Sequence, residues 1–112
     1  MPSKGTIKKE QEKHWHVETL NVSGDPNKDR TVVWECTEEP GHEFVVLFPS
    51  HRNPLHGPHE VYSDRGVATA KVKTYDGQVT KGAKFHYCVL MIAKDREDSV
   101  VGTSSPPTMV IE

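Results

Sequence analysis

The densest group of metal-ligating side chains in this sequence is a set of three histidines in one short segment. His51, His56 and His59 have the spacing H-x4-H-x2-H. Imidazole binds zinc, copper and nickel, and three imidazoles carried by one loop can converge on a single ion. Glu60 is the only carboxylate beside them, and polar surface loops often contain histidines that bind nothing. Two interpretations therefore stay open, a metal site in this loop and an exposed segment without a ligand.

The sequence contains no recognisable catalytic motif. Phosphate-binding loops, G-x-S-x-G and H-E-x-x-H are absent from it. His86 and Cys88 lie two residues apart in one apolar stretch, which places them about 7 Å apart along a strand. A nucleophile and its base need a separation of about 2.6–3.2 Å. We therefore do not expect an enzyme, and we expect Cys36 and Cys88 to be reduced core thiols.

Length and charge restrict the class of protein. The chain has 112 residues, enough for one domain, with 14 Lys and Arg against 16 Asp and Glu. A net charge of −2 argues against a protein that binds nucleic acid or an anionic membrane surface. No apolar run approaches the roughly 20 residues that cross a bilayer. The partner is therefore expected to be another protein or a small molecule.

The N-terminus predicts the compartment. Its basic start is followed by no apolar segment, so a secretory signal is not predicted and a cytoplasmic location is expected. A mature or truncated form of a secreted protein would have the same sequence, so that alternative stays open.

Short apolar runs separated by glycine and proline predict an all-β protein. No segment has the i, i+3, i+4, i+7 apolar spacing of a helix. We predict a two-sheet β-sandwich of about seven strands, with a Greek-key topology, over residues 14–112. Residues 1–13, with many charges and Ile7 as the one large apolar residue after Met1, are predicted to be a mobile tail. The predicted strands cover residues 15–22, 31–36, 44–48, 67–72, 83–93 and 108–112.

Alternation along these strands predicts the core and the surface. Side chains two apart share a face of a strand, which places Trp34, Phe44, Val46, Tyr87 and Val89 inside. The loops are predicted over residues 37–43, 49–66 and 94–107, where contact with a partner is expected. Three prolines within residues 49–60 are incompatible with a helix and with a regular ladder of hydrogen bonds.

Two segments resemble the cupredoxins, the family of small blue-copper β-sandwich proteins. Residues 32–48, VVWECTEEPGHEFVVLF, are similar to a strand, a polar turn with Pro and Gly, and a His that leads into an apolar strand. Residues 85–88, FHYC, are similar to the aromatic-x-Tyr-Cys segment that carries the copper thiolate. The resemblance covers about residues 14–112 and implies the cupredoxin fold.

The resemblance also implies a copper site with an incomplete ligand set. His42 is at the position of the family's first histidine, and Cys88 is at the position of its cysteine. The second histidine is missing, because no histidine follows His86, and Met91 is at the position where a ligand is expected. Soft thiolate and imidazole ligands suit copper.

These observations predict a non-catalytic β-sandwich module that binds a partner or has a structural role, without a required cofactor. The alternative is a copper-binding electron-transfer protein with His42 and Cys88 as ligands and Met91 or His86 completing the set.

Overall fold

A computed structural model of the chain describes residues 3–11, 14–36, 43–92, 100–102 and 107–112. These residues contain strands, turns and bends and no helix, which confirms the predicted all-β class. In the order of the chain the strands are β1 (Ser3–Gln11), β2 (His14–Val17), β3 (Leu20–Val22), β4 (Arg30–Cys36), β5 (Glu43–Leu47), β6 (Glu60–Tyr62), β7 (Val67–Val72), β8 (Lys84–His86), β9 (Cys88–Ile92), β10 (Val100–Gly102) and β11 (Thr108–Ile111).

The strands form three sheets, two mixed and one antiparallel, that are consistent with a small β-sandwich. The first sheet has the order β2-β1-β4-β7, the second β10-β9-β5-β6 and the third β3-β11-β8. β1 runs parallel to β4, and β3 runs parallel to β11. The other strand pairs in the described part of the chain are antiparallel.

The number of strands and sheets differs from the prediction of about seven strands in two sheets. Residues 15–22 and 83–93 were each expected to form one strand. The first divides into β2 and β3 and the second into β8 and β9. Each division moves one part of the segment into the third sheet. The loops predicted over 49–66 and 94–107 contain the short strands β6 and β10, while residues 37–42, 93–99 and 103–106 lie outside the described part.

The N-terminal segment also differs from the prediction of a mobile tail. Ser3–Gln11 forms β1, which lies between β2 and β4 inside the first sheet. Ser3, Gly5 and Ile7 alternate as its buried positions, and the Ile7 side chain is 0% exposed. The inward positions are occupied mostly by small residues, so the apolar alternation that identifies a strand is weak here.

The five side chains predicted to be in the core are all buried, which confirms that part of the prediction. They share one core with residues from every sheet. Alternation gave the correct inward face for β4, β5 and β9, because one side of each of these strands packs against another sheet. β5 is an interior strand of its sheet, as its continuous apolar run indicates. The five residues are Trp34, Phe44, Val46, Tyr87 and Val89.

The proline-rich segment of residues 49–60 is held against β7 by the buried Leu55 and by two backbone hydrogen bonds. Leu55 is buried in the core and forms an isolated bridge with Val72. The backbone N–H of His56 donates to the carbonyl of Lys71 at 2.7 Å, and the N–H of Lys73 donates to the carbonyl of Pro54 at 2.9 Å. These contacts fix the backbone of the loop that carries the three histidines.

Gly5→Ala tests whether β1 belongs to the core. A Cβ at Gly5 would lie 3.2 Å from Trp34 Cδ1, and the Trp34 side chain is fully buried. Because a shift of the buried indole would disturb its hydrogen bond to Tyr87, we expect a loss of about 1–3 kcal/mol in the free energy of unfolding. Urea unfolding followed by intrinsic fluorescence measures this loss as a lower midpoint with an unchanged slope.

Gly77→Ala is the matched control, because a Cβ at Gly77 meets no atom within 4 Å. We expect that variant to stay within about 0.5 kcal/mol of the wild-type protein. A Gly5→Ala protein as stable as the Gly77→Ala protein would contradict the position of β1 beneath Trp34.

Candidate functional site

The site is built around Tyr87, the single residue that separates strand β8 from strand β9. β8 ends at His86 and β9 begins at Cys88, and the two strands belong to different sheets. The N–H of Tyr87 donates to the carbonyl of Pro107 at 3.2 Å. Pro107 directly precedes β11. The chain therefore passes from the third sheet to the second at this residue.

The Tyr87 side chain enters a buried group of three aromatic rings. Trp34 Nε1–H donates a hydrogen bond to the Tyr87 hydroxyl oxygen at 3.0 Å. The Tyr87 ring stacks on Phe48 with a centroid separation of 4.8 Å and meets the edge of Trp34 at 5.8 Å. Stacked and edge-on arrangements suit the charge distribution of aromatic rings. These rings connect β4 of the first sheet with the chain that follows β5 and with the break between β8 and β9.

Burial has a direct effect on the Tyr87 hydroxyl. Removal of this group from water raises its pKa to about 12, and the hydrogen bond from Trp34 opposes that rise in part. Tyr87 is therefore neutral throughout the ordinary range of pH. In this form its oxygen accepts from Trp34, and the residue as a whole is 2% exposed.

An open pocket of about 320 Å³ lies where the end of β5 meets the break at Tyr87. Its wall is mostly apolar, and two side chains with reactive or hydrogen-bonding groups, His86 and Cys88, are exposed there. His86 Nδ1 lies 3.2 Å from Thr108 Oγ1, a hydrogen bond that orients the imidazole. The lining residues are Leu47, Phe48, Pro49, His86, Tyr87 and Cys88.

The side chains of this pocket can contact both apolar and polar groups. An activated cysteine needs a base within hydrogen-bond distance. Among the described residues, no hydrogen bond joins the Cys88 thiol to His86. The pocket offers an apolar surface with an imidazole and a thiol, which can receive an apolar group and contact a polar one beside it.

The structure separates two residues of the predicted copper ligand set. Cys88 is exposed, whereas Met91 is 2% exposed and packs in the core. Side chains three residues apart on a strand point to opposite faces, so Met91 and Cys88 do not meet around one ion. His42 lies outside the described residues, and its distance from Cys88 stays a prediction.

The three loop histidines are not brought together as a ligand group. His51 and His56 are exposed, and His59 Nε2 lies 3.5 Å from the Glu60 carboxylate. Within the ranges that the structure describes, which include all three, no group of three or more His, Cys, Asp or Glu side chains is arranged to hold a metal ion. Leu55 fixes the loop backbone without directing these imidazoles towards a common point.

Comparisons with known proteins return no similar protein. No protein-family model, curated protein or solved structure matches this chain. The resemblance to cupredoxins therefore rests on the two motifs alone and stays a prediction. The described part of the chain also contains no helix long and apolar enough to cross a membrane.

Part of the pocket was missed by the reasoning from sequence. Cys88 and His86 were recognised as sharing one face, but Leu47 was not assigned to any site, and Pro49 was assigned only to the predicted contact loop of residues 49–66. Pro49 ends the apolar run of β5, and Pro107 accepts the Tyr87 N–H. These two prolines at strand ends indicated that the chain turns at each of them. Nothing in the sequence indicated that the two turns lie close together.

Tyr87→Phe tests the role of the buried hydroxyl. An unfolded tyrosine loses its proton near pH 10.0, whereas the folded-state pKa is about 12. The stability of the wild-type protein should therefore be fully present below pH 10 and fall by about 3 kcal/mol as the pH rises through that interval. The variant loses this decline, but at pH 8 it is less stable by about 1–3 kcal/mol because the Trp34 N–H has no acceptor. Urea unfolding between pH 8 and pH 11.5 should give two curves that converge.

Tyr75→Phe is the control for general alkaline effects, because Tyr75 is 38% exposed. Its curve should run parallel to that of the wild-type protein. Parallel curves for Tyr87→Phe as well would show that the Tyr87 hydroxyl is not buried as described.

Proposed function

We propose that this chain is a non-catalytic binding module and that its contact site is the pocket beside Cys88. The observation that supports this most strongly is the wall formed by Phe48 and Tyr87. Their rings belong to the buried aromatic group, so the cavity has a shape that exists before any ligand arrives. A preformed apolar cavity lowers the entropic cost of binding.

The size of the pocket indicates the kind of group that it receives. A volume of about 320 Å³ is near the lower end of the roughly 300–1,000 Å³ typical of ligand pockets. This space suits one aromatic or branched apolar group, carried by a small molecule or by a side chain of a partner protein. The exposed His86 imidazole, oriented by Thr108, lies beside the opening to accept or donate one hydrogen bond.

The position of Pro49 links the pocket to the loops expected to contact a partner. Pro49 lies in the predicted loop of residues 49–66 and also lines the cavity. Arg52 donates from Nη2 to the carbonyl of Lys84 at 2.9 Å, and its guanidinium lies 4.4 Å from the centroid of Phe85. These contacts hold the loop against β8, so the pocket and the loop present one continuous surface.

The proposal is tested by titrating the protein with N-acetyl-tryptophanamide while backbone amide shifts are followed by NMR. We expect saturable shifts centred on residues 47–49 and 86–88. Cys88→Phe places a ring at the opening and should abolish these shifts. Cys88→Ser keeps the opening and should bind as the wild-type protein does.

Two results would contradict the proposal. The first is a set of shifts that grow linearly and spread over the whole surface. The second is a Cys88→Phe protein that binds the probe as tightly as the Cys88→Ser protein. The two variants change the same exposed position, so a difference between them measures access to the cavity.

The copper alternative requires Cys88 and His86 to act as metal ligands. Cys88 and His86 are exposed on one side of the chain, which is the observation in its favour. If they bind Cu(II), its addition should produce an intense visible thiolate band that Cys88→Ser abolishes. The binding-module proposal expects no band and an unchanged melting temperature.

A further inference from the structure

A second pocket, of about 380 Å³, lies in the turn between β3 and β4, away from the Cys88 pocket. Its charged side chains are two acids and two bases, so their formal charges balance. Gly24, with a φ of 111°, contributes backbone that lacks a side chain. The lining residues are Ser23, Gly24, Asp25, Lys28, Asp29, Arg30 and Thr31.

Arg30 differs from the other charged residues of this pocket because it is buried. Its side chain is 6% exposed, and one terminal nitrogen, Nη1, donates to two main-chain oxygens. These are the carbonyl oxygen of Val22 at 3.3 Å and the main-chain oxygen of Glu112, the last residue of the sequence, at 2.6 Å. The guanidinium also lies 5.6 Å from the centroid of the Tyr75 ring, and the Tyr75 hydroxyl donates to the same Glu112 oxygen. The orientation of the guanidinium is therefore fixed by contacts at Nη1 and on its face.

The other two nitrogens of this guanidinium have no hydrogen-bond partner among the described residues. Arg30 Nε and Nη2 are both buried and both unsatisfied. Buried hydrogen-bond donors have an acceptor in the great majority of cases. An acceptor is therefore expected beside each of these two nitrogens. These two N–H groups lie on the same side of the guanidinium, which is the edge that binds the two oxygens of one carboxylate in parallel.

We propose that Arg30 and the turn before it form a binding site for a carboxylate. The Nε and Nη2 donors of Arg30 hold the two carboxylate oxygens, and Lys28 supplies a second positive charge. Asp25 and Asp29 face the same pocket and repel a doubly charged phosphate more strongly than a singly charged carboxylate. The ligand class is therefore a monocarboxylate, either a small acid or an acidic side chain of a partner.

Because Arg30 Nε and Nη2 are both buried, a carboxylate can reach them only if the neighbouring backbone moves. Gly24 lies against the aliphatic part of Arg30, since a Cβ there would be 3.5 Å from Arg30 Cδ. The proposal therefore includes an outward shift of the turn of residues 23–29 away from Arg30. Binding therefore changes the backbone signals of the turn together with the side-chain signal of Arg30.

The test is an NMR titration of the full chain at pH 7 and constant ionic strength, with sodium chloride as the reference salt. Acetate and N-acetyl-aspartate N-methylamide are the two carboxylate probes. We expect the Arg30 Nε–H signal and the backbone amides of residues 23–31 to shift until they saturate. The Nε–H of Arg52, whose guanidinium already has a carbonyl partner and an aromatic ring, is the internal control and should not saturate.

The two probes distinguish the sources of the carboxylate. Tighter binding of the aspartate derivative indicates an acidic side chain of a partner, and tighter binding of acetate indicates a small acid. Arg30→Lys keeps the charge and removes the pair of parallel donors, so acetate should bind at least about tenfold more weakly. If that variant does not fold, the Nε–H signal of the wild-type protein decides the question alone.

The proposal is overturned by any of three results. The first is that acetate produces no more shift than chloride. The second is that inorganic phosphate saturates the Arg30 signal and acetate does not. The third is that Arg30→Lys binds acetate as tightly as the wild-type protein. None of these results depends on the Cys88 pocket, where N-acetyl-tryptophanamide is the probe.

Discussion

The hydrogen bond from the Trp34 indole to the Tyr87 hydroxyl is the interaction on which the rest of the structure depends. Trp34 belongs to the first sheet, and Tyr87 is the residue at which the chain passes from the third sheet to the second. Both polar atoms are buried, and the Tyr87 hydroxyl oxygen accepts the indole N–H in a region where water is excluded. With Phe48 stacked on the same tyrosine ring, this buried group connects parts of all three sheets and lies against the pocket.

Much of the fold was predictable, because most of its strands bury one face and expose the other. β4, β5, β7 and β11 were found close to their observed limits from β-branched residues between turns. The division between β2 and β3 could also be predicted, because two polar residues in succession, Glu18 and Thr19, interrupt the alternation. Both are exposed in the structure. β1 could hardly be predicted, because Ser3 and Gly5 occupy two of its inward positions. Large apolar residues at those positions would have given the alternating pattern of a strand.

The candidate sites were less predictable, for two physical reasons. Alternation continues without interruption from Phe85 through Tyr87 to Val89, so a break that changes sheets while preserving the inward face is invisible in the pattern. Arg30 lies among charged and polar neighbours in the sequence, and nothing local indicates that its guanidinium is buried. Its environment is created by Val22 and Glu112, which only the folded chain brings to it.

The most direct test of this account is hydrogen exchange at the Trp34 indole N–H, followed by NMR in D2O. If the Trp34–Tyr87 bond joins the sheets, this proton exchanges only when the whole domain unfolds, with a free energy of opening equal to that of global unfolding. An indole proton that exchanges much faster than the amides of β4 and β9 would contradict the central claim.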